Sequence, residues 1–212
     1  MSLSPTFKVT LFTAMQTPFS PARDTVALCQ HCFRALLQAL ARPCQPQKLP
    51  EDLSGAHLPL PWELASIALT LCDQTSAVHL GEGLNNDDVA GWLRFQTGMN
   101  FAEAPCEADF VLVRSLESAP ALASLRQGTP AYPDRSATLV VCDATFSGCP
   151  DILAKGPGIR DTVPLPFVPT KTFLEEWQDN NDRFPQGVDV IFCGQGLVAG
   201  LPRTTRLFLQ RS

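Results

Sequence analysis

The strongest candidate for an anion-binding site in this sequence is the run Arg203-Thr204-Thr205. A guanidinium group beside two hydroxyls offers the hydrogen-bond donors that hold a phosphate or a carboxylate. The alternative is a structural arginine, either on the surface or in a buried ion pair at the end of a strand. The residue types and their spacing leave both interpretations open.

A second group with potential chemistry is the Cys-x-x-Cys pair formed by Cys29 and Cys32. Structural zinc needs four donors, and a redox thiol is typically exposed at a helix N-terminus. Both cysteines instead fall on an apolar stripe of helical period, and the sequence has no second Cys-x-x-Cys pair. We interpret them as core residues and predict neither a metal site nor a bound cofactor.

The glycines of Gly194-Gln195-Gly196 match the start of a dinucleotide-binding loop. That loop must lead into a helix, but Gly200 and Pro202 would interrupt one. Two apolar runs, 188–193 and 197–201, flank the glycines and read as strands. We therefore expect a tight β-hairpin and no nucleotide loop.

Helices and strands alternate through the first half of the chain, and strands gather at its end. The first helix carries an apolar stripe of Cys29, Cys32, Phe33, Leu36, Leu37 and Leu40. Further helices are predicted at about 62–72, at 171–178, and between an N-cap at Asn85-Asn86 and a stop at Gly98. Strands are predicted at 77–80, 109–114 and 138–143. This order indicates a layered α/β domain with a mixed sheet over residues 25–212, preceded by an N-terminal extension, residues 1–24.

Composition narrows the class of function. The net charge is −5 without a basic run, which disfavours nucleic-acid binding, and no apolar stretch is long enough to span a membrane. The N-terminal residues lack the pattern of a signal peptide, so we expect a cytoplasmic protein. Charged residues make up 17% of the chain, against a usual value of ~25%. Two explanations fit this low value: partner subunits cover part of the surface, or the core is deep and the loops are uncharged. No catalytic triad pattern surrounds His31, His57 or His79.

Several segments together resemble one family, the PhnH subunits of the bacterial carbon–phosphorus lyase system for phosphonate breakdown. The segments are Leu84-Asn85-Asn86-Asp87, Leu93-Arg94-Phe95-Gln96-Thr97, Gly156-Pro157-Gly158-Ile159, Phe184-Pro185-Gln186-Gly187-Val188-Asp189 and Pro202-Arg203-Thr204-Thr205. Each segment is weak alone, but their order and spacing are specific. The resemblance covers roughly residues 27–207. The sequence departs from it in a longer N-terminal extension and in Cys44, where the family tends to have glycine.

The resemblance implies a three-layer α/β/α fold with a mixed sheet, similar to the large domain of pyridoxal-phosphate-dependent transferases but lacking the cofactor. The lysines Lys8, Lys48, Lys155 and Lys171 include no convincing Schiff-base candidate. The family acts within a multi-subunit core complex that displaces adenine from ATP by a phosphonate at the ribose C1 position. The product is a ribose 1-phosphonate 5-triphosphate, and iron–sulfur chemistry belongs to a different subunit.

Three hypotheses follow from the resemblance. In the first, the chain is an accessory subunit of the phosphonate-activating complex, has no complete active site and is inactive when isolated. In the second, it binds ATP or phosphonate directly through Arg203, Thr204, Thr205 and Arg94. The third is a stand-alone small-molecule enzyme. An isolated homodimer is also expected, because surfaces normally covered by partners often self-associate.

Overall fold

A computed structural model describes residues 25–210 of the chain, so the predicted extension, residues 1–24, lies outside the described residues. The helices are α1 (Thr25–Ala41), α2 (Trp62–Leu71), α3 (Asp87–Thr97) and α4 (Lys171–Asp182), with short 3-10 turns at Pro105–Glu107 and Leu122–Ser124. All four predicted helices are confirmed, and α4 continues one turn beyond its predicted end. None of the helices within residues 25–210 is long and apolar enough to cross a membrane.

The centre of the fold is a seven-stranded mixed sheet, which confirms the predicted mixed α/β class. Its strands are β1 (Gln47–Lys48), β2 (Ala77–Leu80), β3 (Asn100–Phe101), β4 (Phe110–Val113), β5 (Thr138–Val141), β8 (Asp189–Gly194) and β9 (Leu197–Leu201). The spatial order is β1-β9-β8-β5-β4-β2-β3. Strands β3, β2, β4, β5 and β8 run parallel, while β9 and β1 extend the sheet in antiparallel pairing.

A second, three-stranded antiparallel sheet was not predicted from the sequence. Its order is β10-β6-β7, with β6 at Cys149–Lys155, β7 at Val163–Leu165 and β10 at Arg206–Leu209. Pro150 in β6 and Pro164 in β7 weaken the strand pattern, because proline cannot donate to a strand ladder. One outer layer therefore consists of α4 together with this small sheet, whereas the resemblance implied helices alone.

Alternating side chains of the central strands build two separate cores. Val140 on β5 and Cys142 directly after it pack with the helices α1, α2 and α3, while Leu139 and Val141 pack with α4 and the small sheet. This alternation follows from the period-2 geometry of a strand. It also explains why these strands read as continuous apolar runs, since both faces of the sheet are covered.

The buried face of α1 differs from the predicted stripe. The buried residues are Leu28, Cys32, Leu36 and Ala39. Phe33 is 47% exposed and Leu37 is 50% exposed, so their predicted burial is wrong. The helix has apolar residues on two faces, and packing against α2 and β9 selects one of them. Gly200 in β9 permits that contact, because a Cβ there would lie 2.7 Å from the Ala39 carbonyl oxygen.

The predicted ends of α3 and the predicted hairpin are both confirmed. The Asn86 side chain accepts a hydrogen bond from the Val89 N–H at 3.0 Å, and Gly98 ends the helix with a left-handed φ of 73°. Strands β8 and β9 form the hairpin around Gln195 and Gly196, whose φ angles are 54° and 74°. Positive φ at both central residues is what the tightest hairpin turns require.

Candidate functional site

The predicted anion-binding arginine lies in a structural ion pair. Arg203 follows β9, and Asp189 begins β8, so the hairpin brings them together at the amino ends of the parallel strands. The Arg203 Nε donates to Asp189 Oδ1 at 3.2 Å, and Nη2 donates to Oδ2 at 2.6 Å. The backbone N–H of Arg203 also donates to Asp189 Oδ1 at 2.7 Å. The Arg203 side chain is only 13% exposed.

The remaining donors of the Arg203 guanidinium are also engaged. Nη1 donates to the Pro133 carbonyl at 3.0 Å and to the Pro185 carbonyl at 3.4 Å, and Nη2 donates to Ser136 Oγ at 2.6 Å. A guanidinium has five N–H donors, and these bonds together with those to Asp189 account for all of them. This geometry favours the structural alternative over binding of an anion.

The two threonines beside Arg203 differ in exposure. Thr205 is fully buried, and its Oγ1 has no hydrogen-bond partner. Its backbone carbonyl accepts from the Trp177 indole N–H at 2.8 Å and from Asn181 Nδ2 at 3.2 Å. Thr204 is half-buried. A ligand at the surface could therefore contact Thr204 but could not reach the Thr205 hydroxyl without rearrangement.

Arg94, the fourth predicted binding residue, is not part of the same cluster. It is an exposed residue of α3, and its guanidinium lies 5.0 Å from the centre of the Phe101 ring. Phe101 belongs to β3, four strands away from β8 in the central sheet. At a strand spacing of ~4.8 Å this separation is about 19 Å. The structure therefore does not bring Arg94 to the Arg203 group, and a role in ligand binding stays a prediction for each residue.

The Cys-x-x-Cys pair behaves as part of the core. Cys32 is buried, and burial is the main cause that raises its pKa to about 11. The Cys29 thiol is half-buried and contacts the Leu69 carbonyl at 3.6 Å. No cluster of three or more His, Cys, Asp or Glu side chains with metal-binding geometry occurs between residues 25 and 210.

The described lysines do not fit a pyridoxal phosphate site. A Schiff-base lysine must lie in a pocket that desolvates its amine. Lys48, Lys155 and Lys171 are all exposed, and Lys171 lies 3.6 Å from Glu175 on the surface of α4. Lys8 lies outside the described residues.

A different group of polar residues lies at the opposite edge of the sheet and was missed by sequence reasoning. The strands β2, β4, β5 and β8 are parallel, and we call the loops after them the carboxyl edge. In the sheet, β2 lies between β3 and β4, which are the next two strands along the chain, so the strand order reverses at β2. Open α/β sheets bind ligands at such a reversal, outside the carboxyl ends of the strands.

Arg114 and Asp143 form an ion pair at the carboxyl edge. Arg114 follows β4 and Asp143 follows β5, and Nε and Nη2 of the arginine both lie 3.0 Å from Asp143 Oδ2. Both side chains are nearly half exposed, at 46% and 45%. Unlike Arg203, this arginine is accessible to a dissolved anion. Strands were predicted to end at these residues, but the register that pairs them was not readable from the sequence.

Two glycines allow the loop after β2 to cross the end of β4. A Cβ at Gly81 would lie 2.7 Å from the Val113 side chain, and a Cβ at Gly83 would lie 2.9 Å from the Arg114 side chain, so a larger residue at either position would clash. The loop then enters α3, whose first turn carries Asp87 and Asp88. These carboxylates complement the helix dipole and oppose binding of a phosphate at this helix terminus.

A buried carboxylate completes the carboxyl edge. Glu63, in the first turn of α2, is 8% exposed and accepts the Gly196 N–H at 3.0 Å. Burial is the main cause that raises the pKa of Cys142 to about 12; the charges of Asp143 and Glu63 act in the same direction, and Arg114 acts against them. The edge thus combines one cationic donor with carboxylate acceptors around a buried, unreactive thiol.

The cavity at the carboxyl edge is small. Ser115, Glu117, Asp143, Thr145 and Ser147 contribute polar groups to its wall, and its volume is 190 Å³. Pockets that enclose a drug-sized ligand measure about 300–1,000 Å³. In this conformation the edge can contact part of a nucleotide or a small anion, but it cannot enclose a nucleoside triphosphate.

Comparison with known proteins identifies relatives over most of the chain. Residues 21–208 match the model of a family described as "Bacterial phosphonate metabolism protein (PhnH)". The "Alpha-D-ribose 1-methylphosphonate 5-triphosphate synthase subunit PhnH" of Rhizobium meliloti (strain 1021) is 32% identical over 185 residues, which cover 87% of this chain and 92% of that protein. The "Putative C-P lyase subunit protein HtxG" of Stutzerimonas stutzeri is 30% identical over 185 residues, covering 85% and 86%.

Proposed function

The chain belongs to the PhnH family of bacterial phosphonate metabolism proteins, and on this basis we propose that it is a subunit of a carbon–phosphorus lyase complex that makes ribose 1-phosphonate 5-triphosphate. The observation that carries the proposal is the alignment, over 85% or more of this chain, with two proteins that are both named as subunits. The activity then belongs to the assembled complex, and the isolated chain is expected to be inactive.

The proposed reaction of the complex is a displacement at the ribose of ATP. A phosphonate oxygen forms a bond to ribose C1, the bond from C1 to adenine breaks, and adenine leaves with a proton. The 5-triphosphate is retained in the product. The substrates of the complex are thus ATP and a phosphonate, and this chain supports their conversion.

We propose an accessory role for this subunit within the complex. The Arg203 donors are engaged by Asp189 and its neighbours, and the cavity at the carboxyl edge is smaller than a nucleotide pocket. A complete site would then need side chains from other subunits. The second candidate function is direct binding of ATP or phosphonate, which the exposed Arg114 guanidinium at the strand reversal favours.

Two measurements test these roles. Co-expression with the other subunits of the complex should yield one assembly on purification, and a chain that never co-purifies would contradict membership of the complex. Calorimetry of the isolated chain with ATP and with methylphosphonate should show no binding if the role is accessory. Saturable binding that is lost in Arg114→Ala or Arg203→Ala would replace the accessory role by direct binding.

Three finer expectations remain part of this proposal. The fold is similar to the large domain of pyridoxal-phosphate-dependent transferases without the cofactor, which superposition on such a domain tests. The isolated chain forms a homodimer, and a monomer in size-exclusion chromatography at high concentration would refute this. The protein is cytoplasmic, which cell fractionation tests.

A further inference from the structure

The small sheet ends in an apolar strand that has no partner strand on one side. Strand β10 pairs with β6 and stands at the end of the order β10-β6-β7, so within residues 25–210 its other side is unpaired. Phe208 is 41% exposed and Leu209 is 69% exposed. Soluble proteins usually protect such an edge with charge, proline or a covering segment, because it pairs readily with another strand.

The direction of the backbone groups on β10 follows from its register with β6. The Gln210 N–H donates to the Asp151 carbonyl at 2.8 Å, which identifies 210 and 151 as a hydrogen-bonded pair. Hydrogen-bonded and non-hydrogen-bonded pairs alternate along an antiparallel ladder. Leu207, opposite Ala154, and Leu209, opposite Ile152, therefore point their N–H and C=O groups away from β6.

A groove runs beside this free edge, between β10 and α4. Its volume is 450 Å³, and Ile152, Leu174, Trp177, Leu207 and Leu209 form its apolar wall. A strand added to β10 would have every second side chain on the face that this wall forms. The groove and the unpaired backbone groups thus suit the same kind of occupant, an extended segment with apolar residues at alternate positions.

The charge of the groove decides between the possible occupants. Glu175 and Asp179 of α4 line it, and no lysine or arginine of the described chain does. Lys171 lies 3.6 Å from Glu175, so Asp179 is the carboxylate of this rim that has no ion pair among the described residues. Two-fold pairing of β10 with a second copy would bring two such acidic rims towards each other, which costs energy. A segment that carries lysine or arginine is instead attracted to the rim.

We propose that β10 is a docking edge for an extended, basic and apolar segment of another subunit of the complex, which adds a strand to the small sheet. This inference rests on the proposed function for the existence of that subunit. The added strand hydrogen-bonds to Leu207 and Leu209, places apolar side chains in the groove and sets basic side chains beside Glu175 and Asp179.

The test compares edge variants in co-purification with the other subunits of the complex. Leu209→Pro removes an N–H that points away from β6 and breaks no hydrogen bond to β6, so the thermal stability of the chain should not change. The amount of the other subunits that co-purifies with this variant should fall about tenfold. Asp179→Lys changes only surface charge and should weaken retention in the same direction, more at low salt than at high salt. Val26→Ser, at an apolar side chain that is 72% exposed on α1, is the matched control and should leave retention unchanged.

Hydrogen exchange gives an independent readout. The amides of Leu207 and Leu209 should gain protection in the complex, while that of Gln210, already bonded to Asp151, should change little. If wild type fails to co-purify, the proposed function falls together with this inference. If wild type and both edge variants co-purify equally, only the inference falls.

Two further outcomes would assign the edge to another occupant and overturn the proposal. Conversion of an isolated dimer to a monomer by Leu209→Pro would identify a second copy of this chain. Loss of protection at Leu207 and Leu209 in the isolated chain after deletion of residues 1–24 would identify its own N-terminal segment.

Discussion

Asp189 and Arg203 face each other across the end of the β8–β9 hairpin, where two guanidinium nitrogens bind the two carboxylate oxygens at 3.2 and 2.6 Å. A second ion pair, Arg114 with Asp143, lies at the opposite edge of the sheet and is more than three times as exposed on the arginine side, 46% against 13%. The two pairs therefore differ in what they contribute to stability.

Removing the acidic partner should lower the free energy of unfolding substantially only at the buried pair. Asp189→Ala leaves the Arg203 charge largely buried without its partner and should lower the free energy of unfolding by about 3 kcal/mol. Asp143→Ala, the matched control at the exposed pair, should change it by less than about 1 kcal/mol. Urea unfolding of both variants measures the difference, and equal losses would contradict the structural role assigned to Arg203.

Two glycines should respond in opposite ways to alanine. In Gly200→Ala the new Cβ meets the Ala39 carbonyl oxygen of α1 at 2.7 Å, so the helix must shift and stability should fall by about 1–3 kcal/mol. In Gly91→Ala no atom beyond the adjacent residues and the helix's own backbone lies within 4 Å of the new Cβ. Alanine is a better helix former than glycine, so the free energy of unfolding should rise by about 1 kcal/mol. Thermal unfolding of the two variants checks the sign; a stabilised Gly200→Ala would show that α1 does not pack as described.

Native cysteines should differ sharply in reactivity. Burial raises the pKa values of Cys44 and Cys72 to about 12, and it raises that of Cys193 well above its ordinary value. Cys106 is exposed. Iodoacetamide at pH 8 should therefore modify Cys106 first and leave the three buried thiols intact until denaturant is added. Peptide mass mapping after timed quenching measures the order, and early labelling of Cys193 would contradict its burial in the core.

Asp73, in the loop before β2, should make the stability of the protein depend on pH in the acid range. The side-chain hydroxyl and the backbone N–H of Thr75 donate to Asp73 Oδ1 at 2.6 and 2.8 Å and hold the pKa of Asp73 below its ordinary value of 3.8. Because the folded-state pKa is the lower one, this stabilisation is complete above pH 3.8 and is lost as the pH falls through the folded value. Asp73→Asn should therefore lose less stability than wild type between pH 5 and pH 2.5, as measured by urea unfolding at each pH. A steeper loss in the variant would contradict the sign.

Local signals in the sequence were sufficient for the helices, their caps and the hairpin. The two ends of α3, at Asn86 and Gly98, could be predicted because capping depends on residues within one turn of the helix end. The turn at Gln195 and Gly196 needs positive φ at two consecutive positions, which the glycine and the flanking strand pattern indicate. The small sheet was missed because Pro150 and Pro164 weaken its strands and because β10 pairs with β6 across about fifty residues of chain.

The sequence by itself determined the family, the alternation of helices and strands, and the residue types available for binding. Only the tertiary structure decided which of them meet. Strand register set Arg203 against Asp189, placed Arg94 four strands away, and brought Arg114 to Asp143 at the carboxyl edge. Packing against α2 and β9 likewise selected one of the two apolar faces of α1. The physical reason is that capping and turn preferences act between near neighbours in the chain, whereas strand pairing and burial join residues that are far apart in it.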